Sequence, residues 1–227
     1  MYYGFDPMYF LFLAPALLLA MWAQAKVHSA YAKAQEVPAR LSGAAAARHV
    51  LDSAGLTDVA IEQVPGHMSD HYDPRHKVLR LSPQVYSSRS MAAVGIAAHE
   101  AGHALQDAKN YAPLVIRNMA VPAAGFGSSG GILLLILGAV LGWAALIYVG
   151  IALYACVVAF QVINLPVEFN ASSRAKAQLV SLGIVDANQM THVDKVLNAA
   201  ALTYVAATLQ AILTLLYFVF RFAGSRN

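Results

Sequence analysis

The sequence predicts an α-helical membrane protein with about four transmembrane helices and one small α+β domain outside the bilayer. Three observations carry this. Of 227 residues, 59% are hydrophobic and only 12% are charged, about half the ~25% charge of an ordinary soluble domain. Runs free of Asp, Glu, Lys and Arg cover residues 7–25, 118–167 and 196–220, and a spanning helix needs about 20 apolar residues. Between these runs only one segment, about 26–114, is large enough to fold as a domain.

The elements follow in chain order. Residues 1–25 read as a retained anchor. "AQA" at 23–25 resembles a cleavage site, but the first ten residues carry Asp6 and no Lys or Arg, whereas a signal peptide has a basic start. In the 26–114 segment, "SGAAAARHVLDSAG" predicts a helix capped by Ser42 and stopped at Gly55. "VAIEQV" (59–64) and "KVLRLS" (77–82) have strand character. The second of these is either an exposed edge able to pair with an extended peptide or an ordinary buried strand. The polar "PGHMSDHYDPRH" between them reads as a hairpin tip or as a cleft-lining loop. Ser88 or Ser90 can cap a helix reaching about Lys109.

Fifty residues without a charge are too many for one span. Residues 115–167 are therefore expected to form a hairpin of spans at 116–140 and 144–166, turning near Leu141–Trp143. A helix should follow in 168–196, from Glu168 to Leu182 with Gly183 as its stop. A last span and tail fill 197–227. Lys26, Lys33, Arg40, Lys109, Arg117, Arg174 and Lys176 favour the cytoplasmic side for the segments that hold them, while Arg221 and Arg226 vote the other way.

Several function classes are excluded or disfavoured. The formal charge is only +3, with no basic run and no aromatic-basic interleaving, so nucleic-acid binding has little support. The single cysteine, Cys156, forms no intramolecular disulfide. The uncharged spans disfavour a transporter or channel, whose pathways carry ionisable groups. Nothing sets an oligomeric state.

The chemistry concentrates in "AAHEAGHALQ", residues 97–106. His99 and His103 are four apart, hence on one helix face with Cβ atoms about 5–6 Å apart. Both imidazoles can reach one zinc ion. Glu100 is rotated about 100° from His99 and is placed to take a proton from water on the ion's open side. The surrounding small apolar residues predict a buried face, where unpaired His and Glu are costly. Gly102 lowers helix propensity and implies a closely packed neighbour. A catalytic zinc needs a third protein ligand. Asp107 lies on the same helix, and Asp70, His71, Asp73 and His76 cluster in the polar loop. Topology favours Glu168, because a two-span hairpin returns the residue after it to the face that holds the histidines.

"LSPQVYSSRSMAAVGIAAHEAGHALQ", "SDHYDPR" (69–75), "LPVEFNASSRA" (165–175) and "AAALTYVAA" (199–207) together resemble the YugP-like zinc membrane metallopeptidases, within the wider group of membrane gluzincins. The resemblance covers nearly the whole chain. It implies a zincin-like catalytic domain, one catalytic zinc ion held by His99, His103 and Glu168, and Glu100 as catalytic base. The wider group carries an aspartate four residues beyond the glutamate. Here that position is Ser172, so Asn170, Ser172 or Asp107 are the candidates to orient the histidines. His71 or Tyr72 can serve the oxyanion, and Arg174 either approaches the site or marks the cytoplasmic edge of a span. The expected function is an integral membrane zinc endopeptidase acting on peptide or membrane-protein substrates at the bilayer, its active site on the cytoplasmic side of a bacterial inner membrane. The alternative is a zinc-containing binding or assembly protein that does not cleave.

Overall fold

The computed structural model describes residues 7–223. Asp6 and Arg226, used in reading the anchor and the orientation, lie outside the described residues. The chain is an α-helical membrane protein with a small three-stranded sheet. Four helical stretches are long and apolar enough to cross a bilayer: Pro7–Gln35, Ala112–Leu141, Ala144–Ser181 and Ala187–Phe222. It divides into two compact units.

One unit holds residues up to Ala23, Ile116–Leu165 and Leu202 onward. It contains the first part of α1 (Pro7–Gln35), most of α5 (Ala112–Phe126), α6 (Ile132–Leu141) and the first part of α7 (Ala144–Ser181). Gly127–Gly131 joins α5 to α6 as a π-helical turn. Its Ser128 and Ser129 hydroxyls donate to the Gly125 carbonyl at 2.9 and 3.3 Å, satisfying an acceptor inside an apolar segment. The hairpin turn falls at the expected place. Gly142 takes φ +63° and its N–H bonds the Gly138 carbonyl, a left-handed cap that a side chain would strain. Leu133, Ile136, Val140 and Leu141 face outward, as they must toward lipid.

The other unit holds Gln24–Val115 and Pro166–Ala201. After α1 come α2 (Gly43–Ser53), β1 (Ala60–Gln63), β2 (His71–Asp73), β3 (Val78–Leu81), the short α3 (Pro83–Ser87) and α4 (Met91–Ala108). The end of α7 and the start of α8 (Ala187–Ala223) complete it. Ser42 caps α2 by accepting from Ala45 N, and Gly55 leaves the helix at φ +74°. Ser90, not Ser88, caps α4 by accepting from Ala93 N. Ser88 ends α3 instead, and its hydroxyl donates to Ser90 Oγ at 3.1 Å. The core joins Val50 and Leu51 of α2, Leu79 and Leu81 of β3, Val94 and Ala98 of α4, and Leu179 of α7.

Two readings that the sequence leaves open are decided, and one expectation is corrected. The sheet order is β1-β3-β2, with β1 parallel and β2 antiparallel to β3. The strand in "KVLRLS" is thus central and buried, not an edge. The polar loop is not a β1–β3 hairpin tip, because it contributes β2 itself. Thirdly, the third span and the helix after it are one element, Ala144–Ser181, passing through Pro166. Likewise α1 continues to Gln35 and α8 begins at Ala187. Charge ends a bilayer run but does not end a helix, so hydropathy placed the limits short.

Candidate metal centre

The local sequence explains how α4 presents its motif. Ser90 starts the helix, and the next eighteen residues contain no proline and six fully or nearly buried alanines at 92, 93, 97, 98, 101 and 104. Alanine favours helix and leaves room for close neighbours. The closest approach is at Gly102. A Cβ there would sit 2.5 Å from the Ala171 carbonyl oxygen of α7, so only glycine lets the two backbones meet. That contact places α7 residues 168–172 beside the histidines.

His99, His103 and Glu168 converge. Their ligand-capable atoms all lie within 4.8 Å of one another. Glu168 Oε2 is 3.3 Å from His99 Nε2 and 3.7 Å from His103 Nε2. In a tetrahedral shell with zinc–ligand distances of about 2.0–2.1 Å, neighbouring ligand atoms lie about 3.4 Å apart. The glutamate side chain is 4% exposed and each histidine 13%. Despite its nearness to both rings, Glu168 Oε2 accepts no well-aligned hydrogen bond. A buried carboxylate oxygen without a donor is costly, and a cation between the three groups would satisfy it. The donor set and its spacing therefore fit zinc.

The outward nitrogens of both rings are occupied. His99 Nδ1 is 3.0 Å from Ser172 Oγ, and His103 Nδ1 is 3.0 Å from Gln106 Oε1. Gln106 Nε2 in turn donates to the Val167 carbonyl at 2.8 Å and to Asn170 Oδ1 at 3.1 Å. Burial pushes the His103 imidazole toward the neutral form, but the nearby carboxylates of Glu168 and Glu100 outweigh this and raise its pKa overall. Glu100 is half-buried, and among the described residues its carboxylate has no hydrogen-bond or ion-pair partner.

The other candidates are engaged elsewhere. Asp107 accepts from the Tyr72 hydroxyl at 3.0 Å, and burial and this bond push the Tyr72 phenol well above its usual range. Asp70 accepts from Ser82 N and Ser82 Oγ at 2.7 and 3.2 Å. Asp73 binds His76 and Arg80 at 2.7 and 2.6 Å. His71 is exposed, with Nδ1 2.8 Å from the Ser69 carbonyl. Arg174 donates from Nε to Asn170 Oδ1 at 2.7 Å. Of the three candidates to orient the histidines, Ser172 touches one directly, Asn170 acts through Gln106, and Asp107 touches neither. Gln106 was missed by sequence reasoning, although its i+3 spacing from His103 puts it on the same helix face.

Bilayer-length helices, a small sheet and a buried His–His–Glu set define a multi-span membrane protein with a site built for a metal. Over residues 9–223 the chain matches the family described as "Putative neutral zinc metallopeptidase", and it belongs to that family. Zinc is the family's metal. The chain is 48% identical over 223 residues to the "Putative membrane protease YugP" of Bacillus subtilis (strain 168), covering 97% of this chain and 99% of that one. No solved structure matches it.

Proposed function

We propose that the chain is an integral membrane endopeptidase of the HExxH gluzincin type, with His99, His103 and Glu168 holding one zinc ion and Glu100 as general base. The observation that carries this is the convergence of two imidazole Nε2 atoms and one unsatisfied carboxylate oxygen at zinc-shell spacing, one residue from a carboxylate that has no partner among the described residues. When bound, zinc supplies Lewis acidity toward a peptide carbonyl and brings the pKa of water it holds to about 7. Glu100 accepts the proton of the attacking water and returns it to the leaving amine. Ser172 and Gln106 hold the two imidazoles in place from behind. Residues 26–114 and 168–196 form the catalytic part. Residues 1–25, 115–167 and 197–227 are the anchor, the membrane hairpin and the last span.

Because the catalytic part is joined to spanning segments at both ends, its substrates are membrane proteins or their juxtamembrane segments. The basic residues that flank the spans support a cytoplasmic site in a bacterial plasma membrane. A cysteine placed at the exposed His76 in a Cys156→Ser background tests the orientation. It should resist a membrane-impermeant maleimide in intact cells, and labelling there would reverse the orientation.

The decisive experiment is Glu100→Gln. Zinc content should stay at one ion per chain while turnover falls about 10²–10⁴-fold. His103→Ala and Glu168→Ala should lose the metal. Unchanged turnover in the Glu100→Gln protein would remove Glu100 from the chemistry, and a parent with zinc but no cleavage of any membrane substrate would favour a binding role.

A further inference from the structure

Gln106 is fully buried, and its amide can face only one way. Its nitrogen lies on the Val167 carbonyl, which only accepts, and on Asn170 Oδ1. Its oxygen is therefore turned to His103 Nδ1. Asn170 is fixed by the same logic: Arg174 Nε, a donor only, lies on Oδ1. The Arg174 guanidinium is itself seated 5.8 Å over the Tyr111 ring, within cation–π range. The sense of the chain thus runs from Arg174 through Asn170 and Gln106 to the imidazole. An obligatory acceptor at Nδ1 places the ring proton there and leaves the Nε2 lone pair directed toward Glu168. The other histidine has no such director. Ser172 both donates and accepts, so its bond to His99 is compatible with either tautomer.

The same side chain is also a strap. It joins α4 at the second histidine to α7 at the residue immediately before Glu168. We propose that Gln106 is the positioning residue of the metal centre: it sets the His103 tautomer and fixes the register of α4 on α7 at which Glu168 meets both imidazoles, with Asn170 and Arg174 orienting it. This deepens the ligand assignment made above and rests on it.

The test uses full-length protein in detergent. Zinc affinity is measured by chelator competition, and the visible absorption of the cobalt(II)-substituted protein is recorded for the parent, Gln106→Met, Asn170→Ala, His103→Ala and Glu168→Ala. Gln106→Met should weaken zinc binding about 10–100-fold, the usual loss when a ligand's supporting partner is removed. It should also change the cobalt spectrum, which a purely structural role would leave alone. Asn170→Ala should move both readouts the same way by less, and it carries the test if Gln106→Met fails to fold. Parent-like affinity and spectrum in a folded Gln106→Met protein, or in Asn170→Ala if only that folds, overturn the proposal while His103→Ala and Glu168→Ala still lose metal. Retention of zinc by those two variants would instead overturn the ligand assignment, and this proposal with it.

Discussion

The crossing of α4 with α7 and the hairpin of α6 with the first part of α7 use one device for opposite ends. At the crossing, a Cβ on Gly102 would lie 2.5 Å from the Ala171 carbonyl oxygen; in the hairpin, one on Gly150 would lie 2.7 Å from the Gly131 carbonyl oxygen. Both contacts need glycine so that backbones can touch. Their surroundings are inverted. Around Gly102 the apolar residues Ala97, Ala98, Ala101 and Leu105 are buried, and polar His103, Gln106 and Glu168 are packed in among them. In the hairpin the large apolar residues point out, with Leu133 at 55% and Leu141 at 64% exposure. Lipid is as apolar as leucine, so a span gains little by hiding its large side chains and packs through small ones. A water-facing unit gains about 25 cal/mol per Å² of apolar surface hidden, and every polar group it encloses needs a partner.

The sharpest way to break the comparison is to add one methyl at each kind of glycine. Gly102→Ala should gain up to about 1 kcal/mol of helix propensity but force a backbone carbonyl to move. Overpacking of this kind costs about 1–3 kcal/mol or more, and here the displaced atom belongs to the helix bearing Glu168. The expected outcome is a lower melting temperature and loss of most bound zinc, read by metal analysis. Gly125→Ala is the control, because nothing lies within 4 Å of a Cβ there, and it should keep zinc and stability. Equal zinc in both proteins would mean that the α4–α7 approach does not set the site.

A loss of stability that leaves the metal site alone should separate the inward and outward leucines. Leu79 is wholly buried at the centre of the sheet, and Leu79→Ala should cost about 2–5 kcal/mol. Leu133→Ala, on an outward face, should change unfolding by no more than about 0.5 kcal/mol. Urea titration of the two proteins in the same detergent measures the difference, and equal losses would contradict the inverted arrangement.

What could be read from the sequence follows the same division. Spans, caps and stops are local signals, so Ser42, Gly55, Ser90 and Gly183 and the turn at Gly142 were all legible. The proximity of Glu168 to the histidines was legible too, because a hairpin of two spans returns the chain to its starting face. Gly102 announced a close neighbour before that neighbour, Ala171, was known. The continuity of α7 through Pro166 was hidden because a charged residue closes a hydropathy run without breaking a helix. Gln106 was hidden by its polarity: an amide near a helix end reads as solvent-facing until its three partners are known. The strand β2 was hidden most completely. "HYD" has no strand composition, and what makes it a strand lies elsewhere in the sequence, in Ser82 pinning Asp70 and in Arg80 and His76 gripping Asp73.

That last grip gives the smallest and most specific prediction. Asp73 Oδ1 accepts from the N–H groups of Arg75 and His76 at 3.0 and 3.4 Å, closing the turn into β3, while Oδ2 takes the side chains of His76 and Arg80. The hydrogen bond from His76 and that from Arg80 hold the Asp73 carboxyl well below the usual carboxylate range. A group whose pKa is depressed by folding stabilises the native state above its unfolded pKa, about 3.9 for aspartate, and this contribution is lost as pH falls below that value. Asp73→Asn keeps an acceptor for the turn but not the charge. At neutral pH the variant should be slightly less stable than the parent, because exposed ion pairs are screened. The gap should narrow as pH falls below about 4, because the unfolded parent then takes up a proton that the folded parent, with its depressed carboxyl, does not. Thermal melts of both proteins between pH 3 and 7 make the comparison. A gap that is constant across that range would mean that Asp73 holds β2 on β3 through turn geometry alone, and that its charge contributes nothing to the sheet.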